Sequence, residues 1–192
     1  NLERWMSKRY ASTPLALTGT RHYVRAEPKG RVLIISPWNF PVMLTLRPLM
    51  GALAAGNSVV VKPSEHTPTV ASVLKKLIDS VFTEDIVQVE LGGAEVAEKL
   101  TSSPFNHINF TGGTSIGRLV MKSAAEQLCS VTLELGGKSP AIVEESANLK
   151  NAALKIAWGK YMNAGQVCIA PDHLLIEKSI ETEFTTALLN RI

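Results

Sequence analysis

From residue 31 onward, short unbroken apolar runs alternate with stretches whose apolar positions recur three or four residues apart. Residues 31–36 (RVLIIS) and 58–61 (SVVV) show no polar alternation, as expected of strands covered on both faces. Between them, residues 41–55 read as a helix with Pro41 in its first turn and Gly56 as its stop signal. Pro48 inside that stretch predicts a kink. The series continues with a helix over 68–80, a strand over 86–90, a helix over 94–100 and a strand over 107–110. A further helix running to about residue 127 is one that Ser115 can cap. Strands over 131–135 and 141–143, a helix over 149–161, a strand over 174–177 and helical residues after 180 complete it. Such alternation of strand and helix predicts an α/β fold with a parallel, doubly wound sheet.

Residues 1–10 read as the exposed end of a helix with nothing before it to pack against, and the helical residues before Ile192 carry no clear cap. The expectation is a fragment of a longer protein. At 192 residues with 45% apolar side chains, the chain can still bury a full core, and with 19% charged residues no stretch looks disordered.

The formal net charge of +3 is unevenly spread, because seven Lys or Arg fall within residues 1–31 against only Glu3 and Glu27. A solvated or subunit-contacting face accounts for that; nucleic-acid binding would want basic and aromatic residues interleaved along a groove, and aromatics are 6% of the chain. Cys129 and Cys168 lie far apart and lack ligand spacing with His22, His66, His107 or His173, so neither a disulfide framework nor a metal site is expected. The apolar run 32–61 is interrupted by Asn39, Pro41, Arg47, Pro48 and Asn57, which argues against a membrane-spanning helix. No basic-then-apolar leader is visible, and a reducing, cytoplasmic location is the expectation.

Several motifs could carry chemistry. Gly112-Gly113-Thr114-Ser115-Ile116-Gly117 joins a strand to a helix, where backbone N–H groups and the helix dipole can hold a phosphate. It departs from the dinucleotide fingerprint at Thr114 and from the P-loop at Arg118 and Leu119, so spacing alone favours an ordinary glycine-rich turn. Gly137-Lys138-Ser139 lacks the leading glycine of a P-loop at Thr132, which makes a nucleotide triphosphatase a poor alternative. Lys62-Pro63-Ser64-Glu65 follows the SVVV strand, and its Lys and Glu could bind two ribose hydroxyls; a polar turn reads equally well. Cys168 sits between apolar neighbours, more often the setting of an inert thiol, whereas a nucleophile needs a lowered pKa or a base, together with donors aimed at an oxyanion.

In combination these pieces resemble one family. Ser36-Pro37-Trp38-Asn39-Phe40-Pro41, the 62–65 tetrad, residues 110–117, Glu134-Leu135-Gly136-Gly137-Lys138-Ser139-Pro140 and Gly165-Gln166-Val167-Cys168 occur in the order found in aldehyde dehydrogenases. Residues 158–163 and 168–173 are most similar to the class 3 branch, which acts on medium-chain, fatty and aromatic aldehydes. The resemblance implies an N-terminal segment over 1–30, a Rossmann-like NAD(P)-binding domain with helices on both faces over 31–148, and the start of an α/β catalytic domain over 149–192. It implies that the Cys168 thiolate attacks an aldehyde, that the Asn39 amide and the Cys168 N–H hold the oxyanion, and that Glu134 activates water to release a carboxylic acid. It implies that Lys62 and Glu65 hold the adenine ribose, that Gly112, Gly113 and the helix start through Gly117 lie near the pyrophosphate, and that Ser36, Pro37, Trp38, Leu135 and Gly136 line the rest of the cofactor site. NAD is the implied cofactor with NADP possible, since Glu65 would repel a 2′-phosphate; a homodimer is implied for the full-length protein, and no turnover for these residues alone. Two alternatives stand beside this reading: a CoA-acylating dehydrogenase, which would not need Glu134, and a non-catalytic nucleotide-binding module, for which keeping Asn39, Glu134 and Cys168 has no packing reason.

Overall fold

A computed structural model describes residues 2–192. The N-terminal stretch holds a short helix α1 (Leu2–Met6), then two strands, β1 (Arg9–Ala11) and β2 (His22–Val24), paired antiparallel. A helix was expected as far as Tyr10, but it ends at Met6; Asn1 lies outside the described residues. Both strands are exposed along almost their whole length, so no burial alternation marks them in the sequence.

The parallel core follows as β3 (Arg31–Ile35), α2 (Met43–Ala54), β4 (Ser58–Lys62), α3 (Pro68–Asp79), β5 (Val87–Val89), α4 (Ala94–Thr101), β6 (His107–Gly112), α5 (Thr114–Glu126) and β7 (Ser130–Leu135). The five strands β3 to β7 stand in the order β5-β4-β3-β6-β7, and β3 pairs in parallel with β4 on one side and β6 on the other. Side chains alternate across a strand. Val32, Ile34, Val59, Val61, Val87 and Val89 therefore share one face, packed under Leu49 of α2 and Ile78 of α3. The other face carries Leu33, Val60 and Ile108, which are also buried, and α4 and α5 contact β3 and β6. Burial on both faces is why β3 and β4 read as unbroken apolar runs.

Helix α3 starts with Pro68, whose missing N–H costs nothing at that position, and it buries Ala71, Leu74 and Ile78 at spacings of three and four. Helix α2 runs through Pro48. Helix α5 starts at Thr114 with Gly113 in the capping position, so Ser115 lies inside the first turn and does not cap it.

Two asparagines hold the start of β3. The Asn57 side chain accepts from the Gly30 N–H at 2.9 Å, and the Asn106 side chain accepts from the Arg31 N–H at 2.8 Å. Asn57 in turn donates to the Ala52 carbonyl at 2.9 Å.

The chain divides into two compact units, residues 1–134 and 135–192. In the second, β8 (Pro140–Val143) pairs in parallel with β9 (His173–Ile176). It also holds α6 (Leu149–Tyr161) and α7 (Glu181–Leu189), whose Ala153 and Phe184 pack with Val143. Asn148 caps α6 by accepting from the Asn151 N–H at 3.1 Å. The sequence reading set β8 before its domain boundary at 148; in the structure β8 pairs with a strand that follows it. Among the described residues, no helix is long and apolar enough to cross a membrane.

Candidate functional site

Three parallel strands end on one cleft. The residues at the carboxyl ends of β3, β4 and β6 line a hollow of about 540 Å³, whose remaining wall comes from α4 and α5. Strand order reverses about β3, and open α/β sheets bind ligands at such a point.

Lys62 is the last residue of β4 and is 2% exposed. Burying an ammonium is costly unless it is paired. Its Nζ donates to Glu65 Oε2 at 2.9 Å and to the Pro63 carbonyl at 3.2 Å, which accounts for two of its three protons. The hydrogen bond from Lys62 holds the Glu65 carboxyl below its ordinary pKa, helped by the Glu65 backbone N–H and, more weakly, by the charges of Lys62 and His66, while partial burial opposes them. Ammonium and carboxylate are thus both charged and fixed at the cleft wall. His66 follows on the same turn, exposed and part of the wall, with its N–H donating to Ser64 Oγ at 3.2 Å.

The floor beside β3 rests on a buried hydroxyl relay. Thr45, fully buried in α2, donates to the Pro41 carbonyl at 2.6 Å. A hydroxyl has one proton, so the 2.6 Å contact between Ser36 Oγ and Thr45 Oγ1 has Ser36 as donor. The Ser36 N–H also donates to the Lys62 carbonyl at 3.1 Å, and the loop from Ser36 into α2 is thereby tied to β4.

At the end of β6, a side chain on Gly112 would press on the Phe110 ring. A Cβ on Gly112 would stand 2.5 Å from Cζ of Phe110, whereas one on Gly113 would meet nothing within 4 Å. Gly113 leaves the start of α5 uncovered on the cleft side, where the first-turn N–H groups of a helix lack intrahelical partners.

The wall therefore brings together Ser36, Pro37, Trp38, Lys62, Glu65, Gly112 and Gly113 of the residues expected to bind a cofactor. Gly117 is elsewhere, buried along α5, and Leu135 and Gly136 belong to the second unit. Sequence reasoning missed Thr45 and His66; the trace of Thr45 is a hydroxyl four residues after Pro41 on a mostly apolar helix.

The residues expected to do chemistry lie in separate settings. Asn39 is half-buried in the loop between β3 and α2, and Glu134 is exposed near the end of β7. Cys168, in the second unit, is exposed and in no disulfide. It follows a left-handed turn in which Asn163 (φ 50°), Ala164 (φ 55°) and Gly165 (φ 80°) all have positive φ. The Gln166 N–H closes this turn on the Asn163 carbonyl at 3.1 Å, and the Ala170 N–H closes the next on Val167 at 3.1 Å. The Asp172 N–H donates to the Ser139 carbonyl at 2.9 Å, and Lys138 donates to the Asp172 carboxylate at 3.0 Å, so the Cys168 loop is anchored to the segment before β8. That contact holds the Asp172 carboxyl below its ordinary pKa. Gly137 runs close to the same loop, since a Cβ there would stand 3.7 Å from the Cys168 carbonyl oxygen. Cys129, by contrast, is a half-buried thiol whose pKa burial pushes up.

Comparison with known proteins covers nearly the whole chain. The aldehyde dehydrogenase family profile matches residues 3–192. Aldehyde dehydrogenase family 3 member A2 of Rattus norvegicus is 43% identical over 192 residues, which is 100% of this chain and 40% of that protein. The substrate-bound state of Staphylococcus aureus AldH superposes with a TM-score of 0.94 at 46% identity, over 98% of this chain and 41% of that one. The aldehyde dehydrogenase of Mycobacterium tuberculosis complexed with NAD+ does so with a TM-score of 0.87 at 35% identity, over 98% of this chain and 38% of that one. The chain thus spans about two fifths of the length of the relatives it matches. With a family profile covering all but its first two residues, a cleft at the sheet's reversal point and an exposed cysteine on an anchored loop, this chain belongs to the aldehyde dehydrogenase family.

Proposed function

We propose that the protein carrying this chain oxidises an aldehyde to a carboxylic acid with a nicotinamide dinucleotide as oxidant and Cys168 as nucleophile. The observation that carries the reading is the cleft with its buried, ion-paired Lys62, supported by the family and by the NAD+ complex of the Mycobacterium tuberculosis relative.

The wall suits a dinucleotide in three respects. The third Lys62 proton and the Glu65 carboxylate offer a donor and an acceptor to a pair of ribose hydroxyls. Gly113 removes the side chain that would separate a pyrophosphate from the start of α5, where N–H groups and the helix dipole favour an anion. Apolar Ile116, Leu119 and Val120 border the same cleft and suit a flat aromatic base. When bound, the nicotinamide supplies a two-electron acceptor.

The chain's own residues supply the remaining chemistry. Cys168 as thiolate forms the bond to the carbonyl carbon, and the negative charge that develops on oxygen is taken by the Asn39 amide and the Cys168 N–H. Oxidation leaves the acyl group on sulfur as a thioester. Glu134 accepts a proton from the water that cleaves it, which frees the acid and returns Cys168 as the thiolate.

The test uses the intact protein with a panel of aliphatic and aromatic aldehydes, following formation of the reduced cofactor. Cys168→Ala is expected to abolish turnover while cofactor binding persists; wild-type rates in that variant would remove Cys168 from the mechanism. Glu134→Gln is expected to give a burst of reduced cofactor followed by slow turnover, and an undiminished steady-state rate would remove Glu134.

A further inference from the structure

The cleft wall contains four charged or titratable side chains: Lys62, Glu65, His66 and Glu98. Lys62 and Glu65 neutralise each other as a pair. Glu98, exposed on α4, leaves the cleft one negative charge in excess while the imidazole is neutral. A protonated His66 cancels that charge, and it does so one residue from Glu65, the carboxylate that opposes a second phosphate on the ribose. We propose that His66 is a specificity-determining residue: its protonation cancels the excess negative charge of the wall beside Glu65 and admits a 2′-phosphorylated dinucleotide, so that cofactor choice depends on pH. This rests on the nicotinamide-dinucleotide reading of the cleft.

The geometry fits such a role. His66 is on the exposed side of the turn, and its backbone is pinned by the bond from its N–H to Ser64 Oγ at 3.2 Å, so the ring has a fixed origin beside the ribose-binding pair. Its charge is felt by Glu65, whose carboxyl it helps to hold in the ionised form. Lys62 cannot take the same part, because its buried ammonium is already engaged by Glu65 and the Pro63 carbonyl. An imidazole gains and loses its charge in the physiological range, whereas an ammonium and a carboxylate keep theirs there.

The experiment measures equilibrium dissociation constants of NAD+ and NADP+ for the intact protein, by calorimetry and without aldehyde, from about pH 8 to about pH 5.5. The ratio of the two constants cancels everything the dinucleotides share. In the wild type, NADP+ is expected to gain on NAD+ as pH falls. The 2′-phosphate sheds part of its own charge near pH 6, so the reference is His66→Gln, which keeps that titration and loses the imidazole. The wild-type gain is expected to exceed that of His66→Gln by roughly fivefold, the scale of one solvent-screened ion pair. Superimposable ratio curves for wild type and His66→Gln would overturn the role of His66. Absence of NAD+ binding at every pH would instead overturn the dinucleotide reading on which it rests.

Discussion

Among the described residues, Leu128, Asn163 and Ala164 are the non-glycine positions with positive φ, and Ala164 lies in the turn before Cys168. An L-residue with a Cβ pays about 1–2 kcal/mol in the left-handed region, and Ala164 sits there at φ 55°, ψ 32°, between Asn163 and Gly165. Asn tolerates that region and Gly is at ease in it; Ala is neither. Ala164→Gly relieves the strain but adds about 0.5–1 kcal/mol of chain entropy to the unfolded state. The net expectation is a gain of roughly 0.5 kcal/mol, read from the denaturant midpoint, and a loss of stability would show that Ala164 is not strained. The same strain explains why this segment was not legible beforehand. Residues 163–165 read only as a run of turn formers before a cysteine, and nothing in their types says that three successive positions turn left. The spacing of Lys62 and Glu65 after an unbroken apolar strand puts both on one turn, but it read equally well as a polar turn, and the ribose-binding role was implied only by the family resemblance. His66 entered the sequence reading only as a metal-ligand candidate, and it is the cleft that sets it beside them.

Between elements, the most consequential contact is the hydroxyl relay from Ser36 through Thr45 to Pro41. Thr45→Val keeps the volume but removes the oxygen that joins α2 to Ser36 and to the Pro41 carbonyl. It strands the Ser36 hydroxyl in a buried site, at a cost of about 1–3 kcal/mol. The expected outcome is that loss of stability with weakened cofactor binding, measured by denaturation and by titration with NAD+; a neutral effect on both would mean that Ser36 finds another acceptor. Legibility differed between elements for physical reasons. Strands β3 and β4 are covered on both faces and announce themselves as apolar runs, and α3 shows its inward stripe at helical spacing. The β1–β2 pair is exposed almost throughout and leaves no period to read. Helix α5 starts two residues early, with Gly113 in the extended conformation a cap requires, although Ser115 is chemically the better capping side chain.

At the scale of the molecule, acid acts in two stages. The first concerns His107, at the start of β6. Ser130 Oγ donates to the Asn106 carbonyl at 3.0 Å, so the 2.9 Å contact to His107 Nδ1 has the ring as donor; a neutral ring then accepts from Thr132 at Nε2, 3.1 Å away. Burial, and secondly the nearby Lys29 charge, hold the His107 pKa below its ordinary value. The unfolded chain therefore takes up a proton at higher pH than the folded one, and the stability this contributes is present above about pH 6.5 and declines as pH falls through the folded value. Glu65 and Asp172, also lowered, follow the same sign in a lower window, below the ordinary carboxylate range. His107→Gln is expected to flatten stability between about pH 7 and about pH 5 while leaving the steeper acid limb, as followed by thermal melts; an unchanged slope in the upper window would exclude His107 as its source.

The asparagine clamps at Gly30 and Arg31 bear on how the chain avoids assembling wrongly. Because β3 is apolar on both sides, sliding it one position along its neighbours would still hide every side chain, and hydrophobicity alone does not forbid the error. Such a slip would carry Ser36 about 3.3 Å away from Thr45, and with it the loop that leads to Asn39. Asn57 and Asn106 guard against this as paired alignment pins, each set immediately before the strand it serves and each reading the same stretch of β3 from opposite sides. Fidelity of the cleft edge is thus decided at the far end of the sheet, by two amides that lie outside the cleft wall.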